Sequence, residues 1–361
     1  MSQMDTPNAG AGHSLAAQHD VALLDLDGVV YIGDHAVPGA VDALARARAS
    51  GMRLAFVTNN ASRTPEDVAD HLTVLGIPAS AQEVVTSSQA GAALLAERLP
   101  PGARVLAVGG PGVALAIAGA GLEPVRAHDP AAADVAAVLQ GFGRDVAWTD
   151  LAAAALAIQA GARWTLTNPD VTLPVPGGRA PGNGSLARAV EAAAGRPPDD
   201  IAGKPHPALM QASIDRTQAG SPLVVGDRLD TDIAGAACAG IPSLLVLTGI
   251  ADVASLLSAI PEERPDFIGA DLGALTLPPA PTTSGPQGPR AEGEVMRLGP
   301  ACAWLEAGEV RVDVRGDWLA ALQCACAAAW AAAQPPRVGE AAALIERAQR
   351  EAGPGPRTVD P

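Results

Sequence analysis

The sequence predicts an α/β fold: a parallel sheet covered by helices on both faces, interrupted by an inserted domain and followed by a small C-terminal α/β module. Three observations predict it. Short apolar runs, polar turns and Ala-rich amphipathic stretches alternate through the first half of the chain, the rhythm of right-handed strand–helix crossovers. Thr58 and Lys204 each sit at a turn beside this pattern yet lie 146 residues apart, far more than one strand–helix connection needs. Residues 278–293 hold five prolines among Thr, Ser, Gly and Gln, the composition of a solvated linker.

In chain order, Val21–Leu24 is a buried-strand run that leads into Asp25-Leu26-Asp27-Gly28. Residues 41–50 have helical spacing, with Gly51 as their stop. Leu54–Val57 is the next strand and ends at Thr58-Asn59-Asn60, and Pro65-Glu66 opens a helix that closes near Gly76. In the middle, 105–108, 135–139 and 164–167 read as strands and 151–159 as a helix. Lys204-Pro205 precedes a helix over 207–216, the strand 223–225 ends at Gly226-Asp227, and 244–247 is a further strand. After the linker, 309–314 alternates like a strand and 318–333 reads as a helix, with a tail from Gly353.

Composition narrows the function. The 361 residues carry 39 acidic and 24 basic side chains, a net charge of −15, and 48% of them are hydrophobic. That is globular composition. The acidity disfavours sequence-independent binding to nucleic acid or anionic membrane, since no positive excess is available to displace counterions. Aromatics at 2% also disfavour a base-stacking surface. The first 20 residues lack a basic head and an apolar core, so they do not read as a signal peptide, and the Ala-rich run 319–333 is too short to span a bilayer. A cytoplasmic protein is expected, with buried thiols rather than a disulfide or metal framework at its four cysteines.

Chemistry is expected at the carboxyl ends of the strands. Asp25 and Asp27 follow one strand, with Gly28 allowing a sharp turn. One carboxylate can act as nucleophile and the other as proton donor; their mutual repulsion is relieved by a divalent cation. Gly226-Asp227-Arg228-Leu229-Asp230-Thr231-Asp232 follows a second strand and offers hard oxygen ligands suited to Mg²⁺. Thr58, Asn59 and Asn60 supply hydroxyl, amide and backbone donors for an anionic oxygen, and Lys204 can neutralise a carboxylate or a phosphate. Alone, each cluster serves equally well as a cap or turn. The order of the four is the specific signal.

That ordered set resembles the four signature motifs of the haloacid dehalogenase (HAD) superfamily of phosphatases. More narrowly, residues 25–31, 58–60, 203–205 and 226–233 are similar to the NagD-type branch, which includes para-nitrophenyl-, phosphoglycolate and glycerol-phosphate phosphatases. The resemblance covers about residues 20–271. It implies a Rossmann-like core over 14–86 and 201–277, and an inserted α/β cap over 87–200. It further implies that Asp25 attacks phosphorus to form an aspartyl-phosphate and that Asp27 serves as acid, then base. Mg²⁺ would be held by Asp25, the Asp27 carbonyl and Asp227, with Asp232 supporting the metal shell or orienting Lys204. Thr58, Asn59, Asn60 and Lys204 would bind the phosphoryl oxygens, while Asn168, Asp170 and Asn183 resemble cap residues that face the substrate. The module at 294–352 and the tail at 353–361 are similar to an extension of actinobacterial-type glycerol-phosphate phosphatases, shaped like a truncated acetyltransferase. The expected substrate is a small phosphate ester, glycerol 3-phosphate first and 2-phosphoglycolate, a nucleoside monophosphate or pyridoxal phosphate as alternatives. A homo-oligomer and a non-catalytic HAD-fold scaffold complete the range of readings.

Two further motifs are weak. Gly109-Gly110-Pro111-Gly112 lacks the spacing of a dinucleotide loop. Arg350-Glu351-Ala352-Gly353-Pro354-Gly355 has the form of an acetyl-CoA pyrophosphate loop, but its prolines disfavour a following helix.

Overall fold

A computed structural model describes residues 13–175, 177–278, 290–292 and 295–353. Most of the expected linker (278–293) and nearly all of the expected tail (353–361) lie outside the described residues. The chain divides into two compact units: 1–22 with 27–53 and 221–361, and 23–26 with 54–220.

Strands fall where the sequence places them. In the first unit Phe267–Gly269, Ser243–Val246 and Pro222–Gly226 are neighbours in that order, and in the second Arg53–Thr58 lies beside Val84–Thr86. Ser243–Val246 runs parallel to Pro222–Gly226 and to Phe267–Gly269, and Val84–Thr86 runs parallel to Arg53–Thr58. Every residue of Val21–Leu24 and of Ser243–Val246 is buried, as continuous apolar strands of a two-faced parallel sheet must be. The expected strand and helix positions hold to within a few residues at their ends.

Within the second unit a separate five-stranded parallel sheet runs Asp200–Ile201, Arg163–Leu166, Ala137–Gln140, Arg104–Val108, Glu123–Val125. Strand period two assigns its faces. Val105, Ala107, Ala137 and Leu139 pack in one cluster with Ala92, Leu95, Val113 and Ile117 of the helices Ser87–Ala96 and Pro111–Gly119. Leu106, Val108, Val138 and Trp164 pack in another with Ala154, Ile158, Ala187 and Val190 of Trp148–Gln159 and Asn183–Ala194. Asn183-Gly184-Ser185 is the first turn of the last of these helices. A Cβ on Gly184 would stand 2.2 Å from the Pro169 carbonyl oxygen. The glycine is there for close packing onto the loop 168–170. The loop Gly109–Gly112 has a similar reason, since a Cβ on Gly112 would meet the Arg63 carbonyl oxygen at 2.4 Å.

In the first unit the C-terminal module is a four-stranded antiparallel sheet with two helices, Trp318–Trp330 and Gly339–Ala352. Three of its strands, Arg290–Glu292, Val295–Leu298 and Ala301–Glu306, carry no clear alternation in the sequence. The module shares one apolar cluster with the body of that unit: Leu322, Ala325, Ala328 and Ala329 pack with Leu256, Leu257, Leu245 and Ile268. This explains the Ala-rich run, a helix apolar all round because it is covered all round. Trp330 donates its indole N–H to the Leu256 carbonyl at 3.2 Å, and the Arg264 guanidinium lies 5.4 Å from the centre of its ring. No helix among the described residues is long and apolar enough to cross a membrane.

Ending the chain at Leu277 should therefore uncover the faces of Val253–Leu257 and Ile268. At ~1.5–3 kcal/mol per exposed aliphatic side chain, the loss should exceed about 5 kcal/mol. Thermal melting reads it as a markedly lower Tm with increased apolar-dye binding; an unchanged Tm would contradict the shared core. The cysteines give a second check. Cys302, Cys324 and Cys326 are buried and Cys238 is exposed. Burial pushes the Cys324 thiol up to about 11 and Cys326 further up, so neither forms the reactive thiolate at pH 8. A thiol reagent should titrate one cysteine quickly and the others only on unfolding. Rapid reaction of three or more would refute this packing.

Candidate active site

Asp25 leaves the carboxyl end of Val21–Leu24 with its side chain 15% exposed, and the ammonium of Lys204, only 3% exposed, donates to its Oδ1. Lys204 Nζ also donates to the Val57 carbonyl at 3.2 Å. A buried ammonium is costly unless paired and hydrogen-bonded, and here it is both. The main chain of Lys204 is gripped as well. Its N–H donates to Asn59 Oδ1 at 2.8 Å, and Asn59 Nδ2 donates back to its carbonyl at 3.1 Å. Gly203 lets this approach happen, since a Cβ there would stand 2.6 Å from Asn59 Oδ1.

Asp227 and Asp232 are fully buried carboxylates of the other unit. Asp227 Oδ2 accepts from the Ile250 N–H at 2.7 Å, and Asp232 Oδ2 accepts from the Arg228 N–H at 3.1 Å. Asp232 lies in the π-helical turn Leu229–Ile233, a geometry that often marks functional positions. Gly28 (φ +87°) supplies the left-handed turn after Asp27, and a Cβ there would collide with Asp227 Oδ2 at 2.4 Å. Asp230 is an outward residue. Partial burial would raise its carboxyl, but the forked hydrogen bonds and charge of Arg228 outweigh this and hold it below its ordinary value.

Asp227 and Asp232 each offer one carboxylate oxygen, and these two atoms lie within 4.8 Å of each other. Two buried carboxylates so close repel strongly without a cation. An all-oxygen donor set fits a hard divalent ion such as Mg²⁺.

The remaining expected residues fall into two groups. Asp27 is exposed. Thr58 is buried, and its hydroxyl accepts from the Asn60 N–H at 3.0 Å. The Asn60 side chain closes a turn of its own by accepting from the Ser62 N–H and hydroxyl at 2.9 and 2.8 Å. Asn168 and Asn183 lie beneath the surface, 4% and 1% exposed. Asn183 Nδ2 donates to the Asn168 and Gln140 carbonyls at 2.8 and 3.3 Å, and Asn168 Nδ2 donates to the Asn59 carbonyl at 2.7 Å. Asp170 is partly exposed and accepts from Asn59 Nδ2 at 3.3 Å. Sequence reasoning passed over Ser87, whose hydroxyl also donates to the Asn59 carbonyl, at 2.7 Å. Its only sequence signal is its position at the first turn of a capped helix, after Thr86.

Residues 22–123 match the model of the haloacid dehalogenase-like hydrolases, and residues 201–275 match a second HAD-hydrolase-like model. A D-glycerol 3-phosphate phosphatase from Mycobacterium tuberculosis is 44% identical over 307 residues, 84% of this chain and 81% of that protein. The chain belongs to the haloacid dehalogenase-like hydrolases. Among other HAD relatives, an acid sugar phosphatase of Staphylococcus aureus is 36% identical over 238 residues, covering 64% of this chain and 88% of its own. The crystal structure of a glycerol phosphate phosphatase from Mycobacterium tuberculosis in complex with magnesium superposes with a TM-score of 0.82 at 42% identity, over 93% of this chain and 98% of that one. A p-nitrophenyl phosphatase from Archaeoglobus fulgidus gives 0.66 at 27% identity, over 72% and 98%. The HAD relationship accounts for the order of the four clusters along this chain.

Lys204→Ala should leave Asp25 without its buried cation and cost about 3–5 kcal/mol, as breaking a buried pair does. Chemical denaturation measures this directly. A variant as stable as the parent would mean that the pair does not hold this part of the fold together.

Proposed function

We propose that this HAD hydrolase is a Mg²⁺-dependent phosphatase acting on a small phosphate monoester, with glycerol 3-phosphate as its substrate. The observation that carries the reading is the Asp25–Lys204 pair in a buried setting; the carboxylates Asp227 and Asp232 of the first unit support it as an oxygen donor set suited to a divalent ion. Asp25 is the nucleophile: its carboxylate attacks phosphorus, the ester bond breaks, and an aspartyl-phosphate forms. Asp27 protonates the departing alkoxide and then takes a proton from the water that hydrolyses the acyl-phosphate. Lys204, Thr58 and the backbone at Asn59 and Asn60 bind the phosphoryl oxygens. Asp25, Asp227 and the Asp27 carbonyl hold Mg²⁺, with Asp232 behind them. The bound ion supplies positive charge that lets a carboxylate meet a phosphate dianion.

The organisation in this reading is a catalytic core over 14–86 and 201–277 and a cap over 87–200. Its support is the separate five-stranded parallel sheet formed by strands between 104 and 201. A cap over the site suits a small ester rather than a phosphoprotein. The choice of glycerol 3-phosphate rests on the 44% identical relative and on the low aromatic content, which leaves little to stack on a base or pyridine ring. A cytoplasmic location belongs to the same reading.

Asp25→Asn should abolish phosphate release, and Asp27→Asn should lower it roughly 10²–10⁴-fold. Chelation should remove activity and Mg²⁺ restore it, and Asp227→Ala should raise the Mg²⁺ requirement more than Asp230→Ala does. Phosphate release from a panel of metabolite monoesters, with and without Mg²⁺, tests the reading. Full activity of metal-free enzyme, or steady turnover by Asp25→Asn, would sink it. A kcat/KM for a nucleotide well above that for glycerol 3-phosphate would overturn the substrate alone.

A further inference from the structure

Asn168 resembles a substrate-facing residue in sequence, yet it is buried and engaged on both sides. Its Nδ2 donates to the Asn59 carbonyl at 2.7 Å, and its Oδ1 accepts from the Asp170 N–H at 3.1 Å. Its own carbonyl accepts from Asn183 Nδ2 at 2.8 Å. Asn59, in turn, grips the main chain of Lys204 through both atoms of its amide. An unbroken chain of hydrogen bonds thus runs from the first turn of Asn183–Ala194 through Asn168 and Asn59 to Lys204 and Asp25. The Asn59 carbonyl takes two donors, Asn168 and Ser87.

We propose that Asn168 is a positioning residue: it holds the Asn59 segment so that Lys204 stands correctly against Asp25 and the phosphoryl group, and it does not read the alcohol of the substrate. The inference rests on the proposed phosphatase reading and deepens it. The physical case is the steep dependence of transfer chemistry on placement, where a shift near 1 Å costs ~10²-fold. The ammonium of Lys204 ends a long flexible side chain, so its position is only as good as the grip on its backbone. That grip is the Asn59 amide, and Asn168 with Ser87 sets the Asn59 main chain. An alcohol-reading residue needs an outward polar atom, whereas both side-chain atoms of Asn168 face neighbouring backbone.

The test compares Asn168→Asp with the parent enzyme. The carboxylate keeps the shape but cannot donate to the Asn59 carbonyl and repels it. Three quantities are measured in the Mg²⁺-loaded full chain: kcat/KM for glycerol 3-phosphate, kcat/KM for para-nitrophenyl phosphate, and inhibition by inorganic phosphate. The proposal expects kcat/KM to fall ~10–10²-fold in parallel for both esters, with weaker phosphate inhibition, because all three use the same phosphoryl pocket. A fall confined to glycerol 3-phosphate would show that Asn168 reads the alcohol and would overturn the proposal. A fall in kcat alone, with phosphate inhibition intact, reports lost folded enzyme and overturns it too, as does no change in any of the three. Should Asn168→Asp not fold, Ser87→Ala removes the other donor from the same carbonyl and must show the same parallel pattern, more weakly. Failure of the underlying reading is separately visible, because the parent enzyme would then release phosphate from neither ester.

Discussion

A buried lysine held against the Asp25 carboxylate is the constraint on which the proposed site depends. The chain carries a net charge of −15, and the buried carboxylates of Asp227 and Asp232 stand within 4.8 Å of each other. In the proposed reaction a phosphate ester brings more negative charge. Lys204 would be the protein's own answer, and a divalent cation the other. Each requires backbone precision, so the surrounding sequence is devoted to holding loops: Gly28, Gly203 and Gly226 let main chain come close, and Asn59 ties Lys204 on both sides.

Each unit holds its own polar groups by local hydrogen bonds. Asp227 and Asp232 are fixed by backbone N–H groups of Ile250 and Arg228 within the first unit. Lys204 is fixed within the second by Asn59 and Val57, and Asn59 in turn by Ser87, Asn168 and Asp170. In the proposed reading, a cap over 87–200 would therefore do more than exclude water and large substrates: through Asn168 and Ser87 it would help to place the phosphoryl-binding loop.

Much of this was legible in the sequence, for identifiable reasons. Parallel strands buried on both faces are continuous apolar runs, and the groups that follow them must be polar, so Asp25, Thr58 and Asp227 stood out. The direction of an amide was not legible. Asn168 and Asn183 are turn-forming residues in any reading, and their amides are held inward by carbonyls remote in sequence, those of Asn59 and Gln140. The packing of the C-terminal module was not legible for a similar reason. The Ala-rich helix Trp318–Trp330 has no strong apolar face of its own, and its cover comes from Leu256, Leu257 and Ile268, far away in sequence. Separation by a proline-rich stretch does not imply a separate core.

The account stands on Asp25 as the group that carries the phosphoryl. The most direct measurement is chemical trapping of the intermediate: turnover of glycerol 3-phosphate is quenched in acid after a few milliseconds, the protein is reduced with borohydride, and its peptides are sequenced by mass spectrometry. An acyl-phosphate is reduced to the alcohol, whereas a free carboxylate is not. The account predicts reduction at position 25 alone, dependent on substrate and Mg²⁺. Rapid turnover with no reduced residue, or reduction at a different carboxylate, would contradict it.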